Sequence, residues 1–247
     1  GKTANVEVVL KAKTHLIVDV GSTGATLASL ASQVQEQTKI PYALFDGRIE
    51  ATPAALRSLG KLMGNEAEAE KLAAWYENQL KDIKQRTTRI SSHPLVYYGR
   101  GSGGLQTGGK GSINVEVLEI LGARTAAAEA RAGLVTVSLE QVIVWNPEVI
   151  LTTDPNYWKS IWDDPRWRSV KAVAAKRVYL SPHLPFGWFD FPPGANRLLG
   201  VWWAGRLLYP KEFDVDLRAK VVEFHRLFYH PEPSAAQLDA MLDVLRA

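Results

Sequence analysis

The sequence predicts an α/β protein of two lobes joined by one long helix, on three observations. Residues Ala67–Ser91 place Leu72, Tyr76, Leu80 and Ile83 at spacings of 4, 4 and 3, one stripe of a 3.6-residue helix, with no Gly or Pro to interrupt it. A strand–helix–strand pattern precedes this run and ends at Leu62–Gly64. From Pro94 the alternation of strands and helices begins again, which implies a parallel sheet. The expected division is an N-terminal α/β lobe over 1–65, an interlobe helix over 66–92 and a C-terminal α/β lobe over 93–247. Glu66, Glu68 and Glu70 open the helix and Lys81, Lys84, Arg86 and Arg89 crowd its end, so both ends suit the helix dipole. At 1.5 Å per residue the rod is roughly 37 Å long.

In chain order, Asn5–Lys13 reads as a short helix and His15–Val20, apolar and β-branched, as a buried strand. Gly21–Gly24 turns the chain into a helix over Thr26–Gln37, and Pro41–Phe45 is a second strand. Thr52 is expected to cap a helix that has Pro53 at its first position and runs to Leu62. Two strands are few for a parallel sheet covered on both faces, so the first lobe reads as incomplete. After the long helix, Leu95–Tyr98 is a strand and Gly99–Gly111 a loop with seven glycines. Ser112 should cap a helix to Leu121, and Ser138 another over Leu139–Val144. Val149–Thr152 and Val178–Leu180 are strands, and Asp164–Pro165 opens a helix between them. Pro182–Pro193 is a rigid aromatic loop, Asn196–Leu208 a helix, and Phe213–Ala247 a helical tail with a turn at Pro231–Pro233.

Bulk composition narrows the function classes. The chain has 247 residues, 46% hydrophobic, with a net charge of +3 and no Lys/Arg-rich block, so nucleic acid is not an expected partner. No apolar run approaches the roughly 18 residues of a membrane-spanning helix, so the chain is not expected to be membrane-embedded. The absence of cysteine excludes disulfides, thiol catalysis and thiolate metal sites. Seven of the eight tryptophans follow Trp75 in the second half, which favours a binding surface there.

Two stretches carry candidate chemistry. The glycine loop Gly99–Gly111 follows a strand and precedes a helix, where backbone N–H groups can hold an anion, and Tyr98 and Arg100 stand at its mouth. It has neither the P-loop frame nor the dinucleotide spacing, and a merely flexible loop is the competing reading. Phe186, Trp188, Phe189 and Phe191 lie between prolines with Asp190 among them, suited either to a small-molecule pocket or to filling the core. The five histidines show no metal-binding spacing, and no catalytic acid–base pair or G-x-S-x-G elbow is visible. No catalytic residue, bound metal or cofactor is therefore expected, and the chain does not read as an enzyme. The enzyme alternative is an α/β protein acting on a phosphorylated small molecule through the glycine loop. Another alternative is a scaffold whose aromatic surface binds protein.

The segment NVEVVLKAKTHLIVDVG resembles the N-x-E to Lys-Pro-Asp-Leu-Ile region of periplasmic iron-chelate and cobalamin binding proteins of ABC importers, with Ala12–Lys13–Thr14–His15 in place of the usual Lys-Pro-Asp. VSLEQVIVWNPEVILTT resembles the matching region of the second lobe, and the long helix resembles the family's interlobe helix. GSGGLQTGGKGSINVEVLEILGA and PFGWFDFPPGANRLLGVWWAGRLLYP resemble the iron-complex subgroup, which includes molybdate- and tungstate-binding members. Family members carry further residues before the N-x-E segment, in keeping with the thin first lobe.

The resemblance implies a periplasmic protein, or an extracellular lipid-anchored one in a single-membrane organism. It implies capture of an iron chelate between two lobes and delivery to a permease dimer, with a molybdate or tungstate oxyanion as the alternative cargo. A monomer is expected. The implied ligand contacts are Ser22 and Thr23 in the first lobe and Tyr98, Arg100, Gly104, Thr107, Phe186, Trp188 and Asp190 in the second. The implied permease contacts are Glu7 and Glu140, which occupy matching places in N-V-E-V-V-L and S-L-E-Q-V-I. Each glutamate also suits a purely structural place at a helix start.

Overall fold

The computed structural model describes residues 6–242, so Asn5 and the last five residues of the expected helical tail lie outside it. The chain is mixed α/β and divides into two compact units, residues 1–73 and 74–247.

In the first unit, helix α1 (Val6–Lys11) leads to strand β1 (Ile17–Gly21), helix α2 (Ala25–Thr38), strand β2 (Tyr42–Asp46) and helix α3 (Thr52–Met63). β1 and β2 pair in parallel, Ile17 opposite Tyr42 and Gly21 opposite Asp46. The expectation of a buried first strand is corrected: Val18 is 46% and Val20 43% exposed. Alternate side chains of a strand face opposite sides, and the Val18/Val20 side of this two-stranded sheet is left open. Thr52 is inside α3 rather than capping it; Ala51 precedes the helix in a helical conformation, and the Thr52 hydroxyl donates to the Arg48 carbonyl at 3.2 Å.

Helix α4 (Glu66–Thr87) has 22 residues and stops short of residue 92, the expected end of the interlobe helix. Thr87 and Thr88 turn their hydroxyls onto the carbonyls of Lys84 and Gln85, at 2.9 and 2.8 Å, which competes with helix continuation. Its start packs on α3 through the Arg57–Glu70 ion pair at 2.7 Å. From Ala74 onward it belongs to the second unit, where Trp75 donates to Glu223 and Gln79 accepts from Lys220, both at 2.8 Å.

The second unit is built on strands β3 (Leu95–Gly99), β5 (Arg124–Thr125), β7 (Val149–Thr152) and β8 (Val178–Leu180), parallel and ordered β5-β3-β7-β8. A separate antiparallel pair joins β4 (Gln106–Gly108) to β6 (Leu134–Thr136). Residues 99–111 therefore hold a short strand, which the glycine count concealed. The second unit's other helices are α5 (Glu116–Ile120), α6 (Leu139–Trp145), α7 (Pro155–Ser160), α8 (Lys171–Ala174), α9 (Arg197–Leu208), α10 (Leu217–Phe228) and α11 (Ala235–Leu242). Ser138 caps α6 by accepting from the Gln141 N–H, as expected. Ser112 does not cap α5: its hydroxyl donates to the Asn114 carboxamide oxygen at 2.8 Å, and the helix begins at Glu116. The tryptophans go mainly inward, with Trp167, Trp188, Trp202 and Trp203 buried, so their bias to the second half reflects that unit's core. Ten of the twelve residues of α9 are buried, which makes it the central helix of this unit.

Candidate ligand-binding site

From β3 the chain passes to β5 on one side and then to β7 and β8 on the other, so the sheet order reverses between β3 and β7. Parallel α/β sheets bind ligands outside the carboxyl ends of their strands at such a reversal. Tyr98 and Gly99 end β3, and Thr152 ends β7 with Thr153 just beyond it, Gly99 and Thr152 being in register.

A polar cluster occupies this point. The Tyr98 hydroxyl donates to Asp190 Oδ2 at 2.8 Å and lies 3.2 Å from Thr153 Oγ1. Arg100 Nε meets the same Asp190 oxygen at 2.8 Å, while Asn114 Nδ2 donates to the other. Arg100 Nη1 donates to Gln106 Oε1 at 3.2 Å, and the backbones of these two residues bond in both directions. Burial, then the neighbouring Asp190 charge, pushes the Tyr98 hydroxyl well above the usual tyrosine range, so it stays protonated and donates. Three donors converge on the buried Asp190 carboxylate, a common requirement for holding a charge away from water.

The aromatic loop that carries Asp190 is held from beneath by α9. A Cβ on Gly200 would strike the Trp188 carbonyl, so the helix backbone touches the loop backbone there. Trp188 Nε1 donates to the Leu184 carbonyl at 3.0 Å, and Phe189 lies with its ring centroid 4.7 Å from that of Tyr98. Phe186, 51% exposed, leans over an apolar cavity of about 290 Å³ lined by Pro192, Phe224, Phe228 and Tyr229. A larger cavity of about 760 Å³ opens beside β5 among Lys110, Glu119, Arg124 and Glu129, and shares no residue with the cluster.

The structure brings Tyr98, Arg100 and Asp190 together, yet only Arg100 among them reaches solvent, its side chain 30% exposed against 3% for Asp190. Three more of the expected contact residues are buried. Trp188 is 0% and Thr107 1% exposed, the latter inside the β4–β6 pair. Gly104, at φ +66°, lies under the Tyr157 ring, which any Cβ would meet. Ser22 and Thr23 are exposed after β1, where the Ser22 hydroxyl accepts from the Gly24 N–H at 3.3 Å. Glu7 and Glu140 are exposed on the first turns of α1 and α6. Backbone N–H donation at the start of α6, then the Ser138 hydroxyl, lowers the Glu140 pKa, so its charge persists at neutral pH. Sequence reading missed Asn114, Gln106 and Thr153; the only signal was the doubled threonine that ends the β7 run. Among the described residues no His, Asp or Glu cluster is placed to hold a metal ion, and no helix is long and apolar enough to cross a membrane.

A family model described as periplasmic binding protein matches residues 1–183. The molybdate-binding protein MolA of Haemophilus influenzae is 34% identical over 152 residues, 60% of this chain and 43% of that protein. An uncharacterized ABC transporter substrate-binding lipoprotein of Bacillus subtilis, YvrC, is 26% identical over 179 residues, 71% of this chain and 57% of its own. The chain thus spans about half the length of the curated relatives it matches. The solved structure of an ABC transporter solute binding protein from Sulfurospirillum deleyianum superposes with a TM-score of 0.87 at 31% identity, over 97% of this chain and 75% of that one.

Proposed function

The chain belongs to the periplasmic binding protein family, and from that premise we propose that it is the substrate-binding component of an ABC importer. Outside the cytoplasmic membrane it captures an anionic metal chelate, with an iron complex as the first choice, and delivers it to a permease in that membrane. The observation that carries this reading is the braced guanidinium of Arg100 at the reversal point of the sheet. Arg100 offers a fixed donor to a carboxylate, phenolate or hydroxamate oxygen. Phe186 offers an exposed ring for the organic part of a chelate. Tyr98 and Asp190 act behind them as positioning residues. Glu7 and Glu140 serve the permease, one on each unit.

A molybdate or tungstate cargo is the second reading, favoured by the 34% identity to a molybdate-binding protein. A bare oxyanion would use Arg100, Asn114 and Gln106 and leave Phe186 idle. Titration calorimetry with ferric siderophores, haem, cobalamin, molybdate and tungstate tests both. Saturable binding of an iron chelate supports the first, saturable binding of an oxyanion the second, and no saturable binding of any of these overturns the transport reading. The family and its named relatives bind or carry rather than catalyse, so the reading has no chemical step.

A further inference from the structure

The cavity of about 760 Å³ beside β5 lies apart from the candidate site. Leu95, the first residue of β3, lines it, with Arg124 opposite on β5. The Tyr98–Asp190 cluster stands at the other end of β3. Clefts of roughly 300–1,000 Å³ are the size that takes small organic ligands. The lining divides by chemistry. Leu95 and the half-buried Trp145 are apolar, and four charged side chains join them, Lys110 and Arg124 with Glu119 and Glu129. None of these four makes an ion pair with any described residue. Elsewhere on this surface such neighbours do pair, as Arg57 does with Glu70 and Arg218 with Asp239.

The walls are fixed by backbone. The Gly109 N–H donates to the Gly133 carbonyl at 3.0 Å, and a Cβ on Gly109 would strike the Arg131 carbonyl. The segment that carries Lys110 therefore lies directly on the segment that follows Glu129. The Gly111 N–H donates to Glu119 Oε1 at 2.6 Å, which ties α5 to the same place. A hollow held in this way costs little ordering when a ligand enters.

We propose that this cavity is a second binding site, for a short peptide with free termini and an apolar body. Lys110 and Arg124 would take its carboxylate, Glu129 and the remaining Glu119 oxygen its ammonium, and Trp145 its side chain. An anion alone would meet two carboxylates and a cation alone two basic groups; a molecule with both charges uses the whole lining. The proposal does not depend on which cargo the Arg100 site carries.

The experiment is titration calorimetry of the protein with three dipeptides, alanyl-phenylalanine, alanyl-tryptophan and leucyl-leucine. At least one should bind saturably, and blocking either end of it, by N-acetylation or C-amidation, should weaken it about tenfold, the loss of one charge-assisted contact. Lys110→Gln with Arg124→Gln should weaken the free peptide by a similar factor and abolish the penalty for amidation, while Glu129→Gln should abolish most of the penalty for acetylation. Arg100→Ala should leave peptide affinity within about twofold. No saturable binding of any of the three overturns the proposal, as do blocked peptides that bind like free ones, since both results come from the unaltered chain. Peptide binding that survives both cavity variants, or that falls tenfold with Arg100→Ala, places the peptide elsewhere and overturns it too.

Discussion

Arg100 Nε lies 2.8 Å from Asp190 Oδ2, and of the two side chains only the arginine is open to solvent. The buried carboxylate also accepts from Tyr98 and Asn114, so it is fixed independently of its ion pair. Asp190 therefore holds the guanidinium in one place, and the pair carries no net charge.

The first expectation concerns that brace. Asp190→Asn should cost about 1–3 kcal/mol of stability, because donors arranged for a carboxylate meet a weaker acceptor. Tyr98→Phe removes one donor of three and should cost less, about 1 kcal/mol. Urea unfolding of the two variants gives the order directly, and a Tyr98→Phe cost above that of Asp190→Asn would contradict the role assigned to Asp190.

Arg100→Ala should leave the second unit folded while weakening an anionic ligand by roughly 10- to 150-fold, the equivalent of about 1.5–3 kcal/mol for one charge-assisted contact. Calorimetry on the folded variant decides it; unchanged affinity removes Arg100 from the site.

Trp188→Ala should destabilise the second unit by about 3–5 kcal/mol, as expected for deleting a fully buried ring. Phe186→Ala, at a half-exposed position, should stay within about 0.5 kcal/mol of the parent while lowering affinity for an aromatic chelate. Thermal melts of the pair test this, and near-equal stabilities would return Trp188 to the ligand-contact role first expected of it.

Burial lowers the pKa of His225 below its ordinary 6.5. Between the lowered value and 6.5 the unfolded chain binds more protons than the folded one, so stability rises with pH through that window and is fully present above it. Acidification from pH 7 should therefore destabilise the second unit progressively, and His225→Gln should flatten that part of the profile. A variant with the parent's slope between pH 5 and about 6.5 would assign the effect to other groups.

The larger elements were legible because they follow local rules. The Leu72–Ile83 stripe, the Ser138 cap and the β-branched runs at Val149 and Val178 each state their structure within a few residues. Strands β5 and β6 were not legible, since two or three residues carry no period and exist only through their partners. The site was half legible. Tyr98, Arg100 and Asp190 stood out by residue type, yet their mutual hydrogen bonds span 90 positions or more and could not be read locally. The burial of Trp188 and Thr107 depends on α9 and on the β4–β6 pairing, neither of which is written in the loops that hold them.

The near-complete burial of α9 sets a limit on motion. Amide hydrogens in a helix sheltered all round exchange only when the surrounding unit opens globally, so α9 should belong to the slowest-exchanging set of the second unit. The loop bearing Asp190 rests on that helix at Gly200, backbone against backbone. This wall of the candidate site should therefore not adapt to a bound molecule. Any accommodation falls to outward side chains such as Phe186, and discrimination among cargoes becomes a question of shape met by a surface that does not yield.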